Sequence, residues 1–291
     1  MRVLLTGSTG RLGGAFLSLW KKRDDIEVIT LTRSEADLSE PEELRHAIRA
    51  EDFDVLINPA AISGLEECAD NPYLAKLVNV DSPRVMAEVC SAKGAKLVHF
   101  STDYVFDGEL PGRKIENDPI GAVNMYGVTK MAGERHVLDA NDDSLICRVS
   151  WLFGPTTSER PSHFDNVLDR ALSGESQNLI ADKFSVPTFT HDVVEWVELL
   201  LQHRCSGIYH LCNSGEPESW HSYAEKICTL AQQHGHDLSS DGLIASSIDD
   251  AHFFREKRPV HTAMLPARLE DEGIASPRHW LEAAEVYLKI R

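Results

Sequence analysis

The sequence predicts an α/β protein built on a doubly wound parallel sheet, and three observations carry that prediction. Short apolar runs alternate with helical patterns through the first half of the chain. The runs are nearly continuous in apolar residues, and a glycine-rich turn joins the first of them to the first helix. A strand apolar on both faces is covered on both faces, so βαβ order with right-handed crossovers puts helices on either side of one sheet. That is a Rossmann-type architecture.

Strands are expected at 2–6 (RVLLT), 27–32, 54–60, 96–102 and 145–151, with helices near 11–22, 41–50, 73–93 and 124–140 between them. After Trp151 the rhythm changes. The stretch LFGPTTSERPS (152–162) reads as a loop from its Gly, Pro and Ser content, followed by a helix near 163–173 and a strand at 177–182. A helix near 191–203 and a strand at 207–212 come next. The segment 219–233 reads as a helix with Ser219 or Ser222 as N-cap and Glu225 available for a capping box with Ser222. A last helix opens at SPRHW, with Ser276 as cap and Pro277 in its first turn. The division expected is a main domain over 1–153, joined by returning segments near 177–211, and a smaller C-terminal substrate-binding domain from 154–176 and 212–291.

Composition narrows the function classes. The 29 basic residues are outnumbered by 46 acidic ones, a net charge of −17, which disfavours nucleic acid or an anionic membrane as partner. No apolar run reaches the ~18 residues of a membrane span, and the first residues are too short and glycine-rich for a signal peptide, so a cytoplasmic protein is expected. The six cysteines form no C-x-x-C pair, and neither a disulfide nor a metal site is expected. His234 and His236, in a polar glycine-containing segment, read as a solvated loop.

The chemistry begins at TGSTGRLG (6–13). Gly7 permits a tight turn, Gly10 lets the backbone approach a pyrophosphate, and Gly13 lets helix and strand pack closely. With a strand before it and an amphipathic helix after it, the loop predicts a dinucleotide on the helix N-terminus, held by Gly7, Thr9, Gly10, Arg11 and Leu12. The second strand ends in Arg33 rather than an acid, and Arg33 with Arg11 would suit a 2′-phosphate, so NADP(H) is favoured over NAD(H). Asp37 and Leu38 are expected at the adenine pocket. Asn58, Ala60 and Ala61 end the third strand where small residues would admit the nicotinamide ribose.

In MYGVTK (125–130), Tyr126 and Lys130 lie at i and i+4 on one helix face. Two unit charges ~5 Å apart at an effective dielectric of ~20 interact by roughly 3 kcal/mol, enough to draw a phenol down by about two pH units. The pair is therefore a candidate proton donor.

Together with NPAA (58–61), STDYVFDG (101–108), RVSWLFG (148–154), VPTFT (186–190) and KRPVHT (257–262), these motifs make the chain resemble an extended short-chain dehydrogenase/reductase, most of all the dTDP-4-dehydrorhamnose reductase group. The resemblance runs almost end to end. It implies that Tyr126 gives a proton to the carbonyl oxygen of a nucleotide-linked 4-keto sugar as hydride arrives from the nicotinamide. It implies too that Lys130 lowers the tyrosine pKa and binds the ribose hydroxyls, that Thr102 hydrogen-bonds the reacting oxygen, and that Tyr104 and Trp151 line the sugar pocket. Arg258 is a candidate for the diphosphate, and the family suggests a homodimer.

Departures from the family pattern fall at the substrate end. AAISGLEECA (60–69) puts Ser63 and Leu65 at substrate-lining positions, Lys183 and Ser185 stand in a DQxGxPT-like segment, and His163 precedes Phe164 where asparagine is common. The same resemblance leaves two alternatives open: a cofactor-binding regulatory subunit like the β subunit of methionine adenosyltransferase, and a sugar-nucleotide epimerase or dehydratase.

Overall fold

The computed structural model describes residues 1–156 and 161–291. Strands β1 (Arg2–Thr6), β2 (Glu27–Leu31), β3 (Val55–Asn58), β4 (Lys96–Thr102) and β5 (Leu145–Val149) are joined by strand Gly207–His210 in a six-stranded sheet. Its order is β2, β1, β3, β4, β5, 207–210, and every pairing is parallel. Between the strands run α1 (Arg11–Trp20), α2 (Pro41–Ala50), α3 (Leu65–Asp70), α4 (Pro72–Lys76), α5 (Ser82–Lys93) and α6 (Met125–Ala140).

Alternation along each strand divides the core into two layers. Val3, Leu5, Val98 and Cys147 pack with Phe16 and Trp20 of α1 and with Val193 and Val197 of a later helix, α8 (Thr190–Gln202). Leu4, Leu56, Leu97 and Ile146 point the other way, to Leu44 of α2, Met86 and Val89 of α5 and Val137 of α6. Because β1 lies between β2 and β3, the chain switches direction there, and the crevice beyond the carboxyl ends of β1 and β3 is where a ligand of such a sheet binds.

The helix expected over 73–93 is one run interrupted by a π turn at Leu77–Asp81. Pro83 explains it: with no N–H to offer the carbonyl of Asn79 and a ring that crowds it, the ladder widens locally. The widened turn presents Asn79, whose side chain bonds both the N–H and the carbonyl of Ile62 (3.0 and 2.9 Å) and the Thr129 hydroxyl (3.1 Å).

A second core forms around Phe164 of α7 (His163–Leu172), Tyr223 of α9 (Trp220–Gln233) and Trp280 and Tyr287 of the C-terminal helix Trp280–Ile290, with Phe153 and Phe189 from the paired short strands Leu152–Phe153 and Thr188–Phe189. Here three expectations are corrected. The strand at Gln177–Ile180 does not return to the main sheet but pairs with Leu243–Ser246, because Leu179 is buried in the second core; Gly207–His210 does return. Ser219 caps α9 in a capping box with Ser222, so Glu225 lies a turn too late to take part. The last helix is capped by His279, since Ser214 donates to Arg278 O and accepts from Trp280 N, which keeps the residues before the helix extended. Part of the 152–162 loop, residues 157–160, lies outside the described residues. Among the described residues no helix is long and apolar enough to cross a membrane.

Candidate functional site

Gly7, at φ +59°, turns the chain out of β1, and the Gly10 N–H bonds back to its carbonyl at 3.0 Å. A Cβ on Gly13 would stand 2.1 Å from that same carbonyl, so only glycine lets α1 press so closely on the turn. The N-terminus of α1 carries no side-chain cap at Gly10, leaving its first N–H groups for a ligand. It opens on a cleft of about 660 Å³ lined by Gly7, Thr9, Gly10, Arg11, Leu12, Ala60 and Ala61, and at its far side by Tyr126 and Lys130. A contiguous cavity of about 440 Å³ shares Gly7, Thr9, Ala60 and Ala61 and adds Arg33, Asp37 and Leu38. A glycine turn that admits no Cβ, an uncapped helix end and an elongated cleft fit a dinucleotide.

Two cofactor expectations change. Asn58 is wholly buried, its amide held between Thr6 and His99 rather than lining the cleft. The two arginines are separated: Arg33 lies at the outer cavity, exposed and paired with Asp37 (3.0 Å), while Arg11 donates to Gly154 O (2.7 Å) and faces Asp165 (3.5 Å).

At the reacting end, Thr102 closes β4 and its hydroxyl oxygen accepts from Tyr104 N (3.2 Å), starting a short 3₁₀ turn. Asn124 caps α6, accepting from Gly127 N at 2.9 Å. A Cβ on Gly127 would lie 2.2 Å from Tyr104 O, so the first turn of α6 rests directly on the turn that follows Thr102. Thr102 and Tyr126 thus meet, hydrogen-bonded side chain to side chain.

The electrostatics differ from expectation. Burial pushes the Tyr126 phenol up, and only the hydrogen bond with Thr102 opposes it. The Lys130 ammonium does not act on it as the i, i+4 spacing suggests: Nζ faces His99 Nε2 at 3.2 Å, and burial lowers the lysine itself to about 8. A phenol held protonated remains a proton donor, for the opposite reason to the one expected.

Ser63, Leu65, Tyr104, Trp151 and Arg258 all line a third cavity, of about 560 Å³, together with Thr102 and Tyr126. Trp151 sits at φ +40°, a strained conformation for a tryptophan, and packs at a tilt against the rings of Trp220 and Tyr223. Arg258 bonds Glu66 (3.1 Å) and its guanidinium carbon lies over the Phe254 ring, 3.5 Å from the centroid, so its charge is already half committed. Behind the wall, the fully buried Lys183 has Nζ 5.1 Å from the Tyr104 ring and 5.4 Å from that of Trp151, with no hydrogen-bond partner among the described residues. Burial lowers it to about 8, and Asp103, which accepts from Ser185 (3.0 Å), Thr262 (2.6 Å) and Thr102 (3.2 Å), opposes that shift.

Sequence reasoning missed His99, Trp220 and Tyr223. A histidine inside the apolar run KLVHFST was the available signal for the first. The two aromatics looked like ordinary core on a helix 70 residues away from Trp151, and nothing local marks them.

The chain is 32% identical to the spore coat polysaccharide biosynthesis protein SpsK of Bacillus subtilis over 295 residues, covering 100% of this chain and 98% of that protein. It is 31% identical to a dTDP-4-dehydrorhamnose reductase of Burkholderia thailandensis over 240 residues, covering 78% of this chain and 77% of that one. Its fold matches a dTDP-4-dehydrorhamnose reductase of Bacillus anthracis solved in complex with NADP, at a TM-score of 0.91 and 24% identity over 100% of this chain and 99% of that one. Residues 1–290 match the family described as the RmlD substrate binding domain, and the chain belongs to that family.

Proposed function

We propose that the protein is a nicotinamide-dependent reductase of a nucleotide-linked 4-keto sugar, with NADP(H) preferred over NAD(H). One observation carries the reading: Tyr126, with Thr102 beside it, lines both the cleft under the glycine turn and the aromatic cavity. A proton donor at that junction touches cofactor and substrate at once.

The nicotinamide, when bound, supplies hydride to the carbonyl carbon. The chain supplies the proton. Tyr126, kept protonated by burial, passes its phenolic proton to the carbonyl oxygen, which becomes the alcohol, and the tyrosinate left behind is stabilised by the Thr102 hydroxyl, while Lys130, in the lining of the cleft under the glycine turn, would hold the ribose hydroxyls of the cofactor. Trp151 and Tyr104 give the sugar apolar faces, and Arg258 at the same cavity supplies positive charge for a diphosphate. Arg33, exposed beside the outer cavity, supports a 2′-phosphate, as does the NADP in the Bacillus anthracis relative. Relatives acting on dTDP-linked sugars make a dTDP sugar the first candidate.

Purified protein offered NADPH and a panel of dTDP-, GDP- and UDP-linked 4-keto sugars is expected to oxidise NADPH with one nucleotide class. Tyr126→Phe should lose about 10²–10⁴ of that rate. No oxidation above the Tyr126→Phe control with any substrate would sink the reading.

A further inference from the structure

A line of buried polar groups runs beneath the reacting end to Lys130. At the end of β1, Thr6 Oγ1 donates to Asn58 Oδ1 at the end of β3 (2.7 Å). Asn58 Nδ2 faces His99 Nδ1 of β4 at 3.0 Å, and His99 Nε2 faces Lys130 Nζ at 3.2 Å. Thr6, Asn58 and His99 are wholly buried and Lys130 nearly so. Burial, and then the neighbouring lysine, hold His99 well below the ordinary imidazole range. The ring is therefore neutral, with one nitrogen bearing a proton and the other a lone pair.

Two arrangements leave no donor facing a donor and no acceptor facing an acceptor between Asn58, His99 and Lys130. With Asn58 donating to Nδ1, the ring proton sits on Nε2 and points at Lys130, which can accept it only as a neutral amine. With Lys130 as an ammonium, Nε2 must accept, the ring proton moves to Nδ1, and the Asn58 amide turns to offer its oxygen, its Nδ2 then donating to the Thr6 hydroxyl oxygen. Any mixture sets two donors or two acceptors face to face in the interior, where an unmade hydrogen bond is costly. The two arrangements differ by one proton, which leaves to solvent.

We propose that His99 is the positioning residue for Lys130, and that the lysine gains or loses its charge only together with a change of His99 tautomer and a turn of the Asn58 amide. Other titratable groups facing Lys130 are Glu134 on its own helix and Cys68 of α3. Glu134 is committed to Arg148 and Ser101, and Cys68 bonds the Ile62 carbonyl, so neither replaces the imidazole as a partner for Nζ. Tyr126, on the preceding turn of α6, stays protonated through the same range. Burial lowers Lys130 to about 8, which places the exchange near that pH. The consequence for catalysis rests on the function proposed above; the coupling itself does not.

The test is ¹⁵N spectroscopy of the full-length protein labelled at histidine, with His99 assigned by difference from His99→Gln. Between about pH 6 and pH 10 the His99 ring is expected to stay neutral while its proton moves from Nδ1 to Nε2, with a midpoint near 8, and Lys130→Met should abolish the change. A single tautomer across the range, or an imidazolium at its acid end, overturns the proposal. In turnover, His99→Phe should move the alkaline limb of kcat/KM to lower pH by about one unit, and His99→Gln, whose amide can serve both neighbours, should restore it. Asn58→Asp, which can only accept from Nδ1–H, should move that limb to higher pH. An unchanged limb in both His99→Phe and Asn58→Asp counts against the coupling. An active enzyme with a fixed His99 tautomer would keep the proposed function and lose this inference, whereas a tautomer change in a protein that reduces no sugar nucleotide would do the reverse.

Discussion

Glu134 stands one turn beyond Lys130 on α6, and Arg148 of β5 grips its carboxylate through Nη2 (2.7 Å) and Nε (2.9 Å), with the Ser101 hydroxyl as a further donor. Both charged groups are almost wholly buried. A pair of this kind adds little net stability over an apolar substitute, yet removing one partner strands the other charge without solvent. Glu134→Leu is therefore expected to cost about 3–5 kcal/mol in urea denaturation, while the double variant Glu134→Leu, Arg148→Met recovers most of the loss. If the double variant is as unstable as the single one, packing rather than the stranded charge is responsible. Nothing in the sequence announces this pair, because Glu134 looks like an ordinary exposed helix residue until β5 is laid beneath it.

At the scale of elements, the site depends on two helices whose first turns lie against loops. The Gly127 Cα approaches Tyr104 O so closely that any side chain must lift α6 from the turn bearing Thr102. A displacement of about 1 Å at reacting groups costs on the order of 10²-fold in rate. Gly127→Ala is expected to lower kcat by about that factor, with NADPH affinity less affected, and unchanged kcat would refute the fitted contact. Gly13→Ala disturbs the other helix: its Cβ would meet Gly7 O, and the expected result is weakened NADPH binding by titration, with proton donation at Tyr126 left in place. The spacing TGxxGxxG made the second contact legible in the sequence. The first was hidden because Gly127 follows Tyr126 in a stretch read for its tyrosine and lysine alone.

For the whole molecule, Asp165 is the joint between the two cores. Its carboxylate accepts from Ser162, from Tyr287 OH (2.7 Å) and from Arg291 (3.2 Å), and it faces Arg11 at the cofactor turn (3.5 Å). Burial alone would raise its pKa, but these donors outweigh it and hold the group below its ordinary 3.8. A carboxylate depressed on folding contributes stability above its unfolded pKa and loses it as pH falls through the folded value. Asp165→Asn is expected to be less stable than the parent by about 1–3 kcal/mol near neutral pH, with the gap closing below pH 3.8; a gap independent of pH would mean the charge is not the cause. Order of elements, the glycine turn, the Tyr126–Lys130 spacing and the family are all legible in the sequence alone, since each rests on short motifs, or on a succession of them, whose residues stand a few positions apart. Only the tertiary structure decided that Tyr126 is pushed up rather than drawn down, that Arg11 faces Asp165 rather than the outer cavity beside Arg33, that Asn58 is buried, and that Gln177–Ile180 pairs with Leu243–Ser246. Those outcomes depend on desolvation and on partners tens to more than a hundred residues away, quantities that local pattern does not carry.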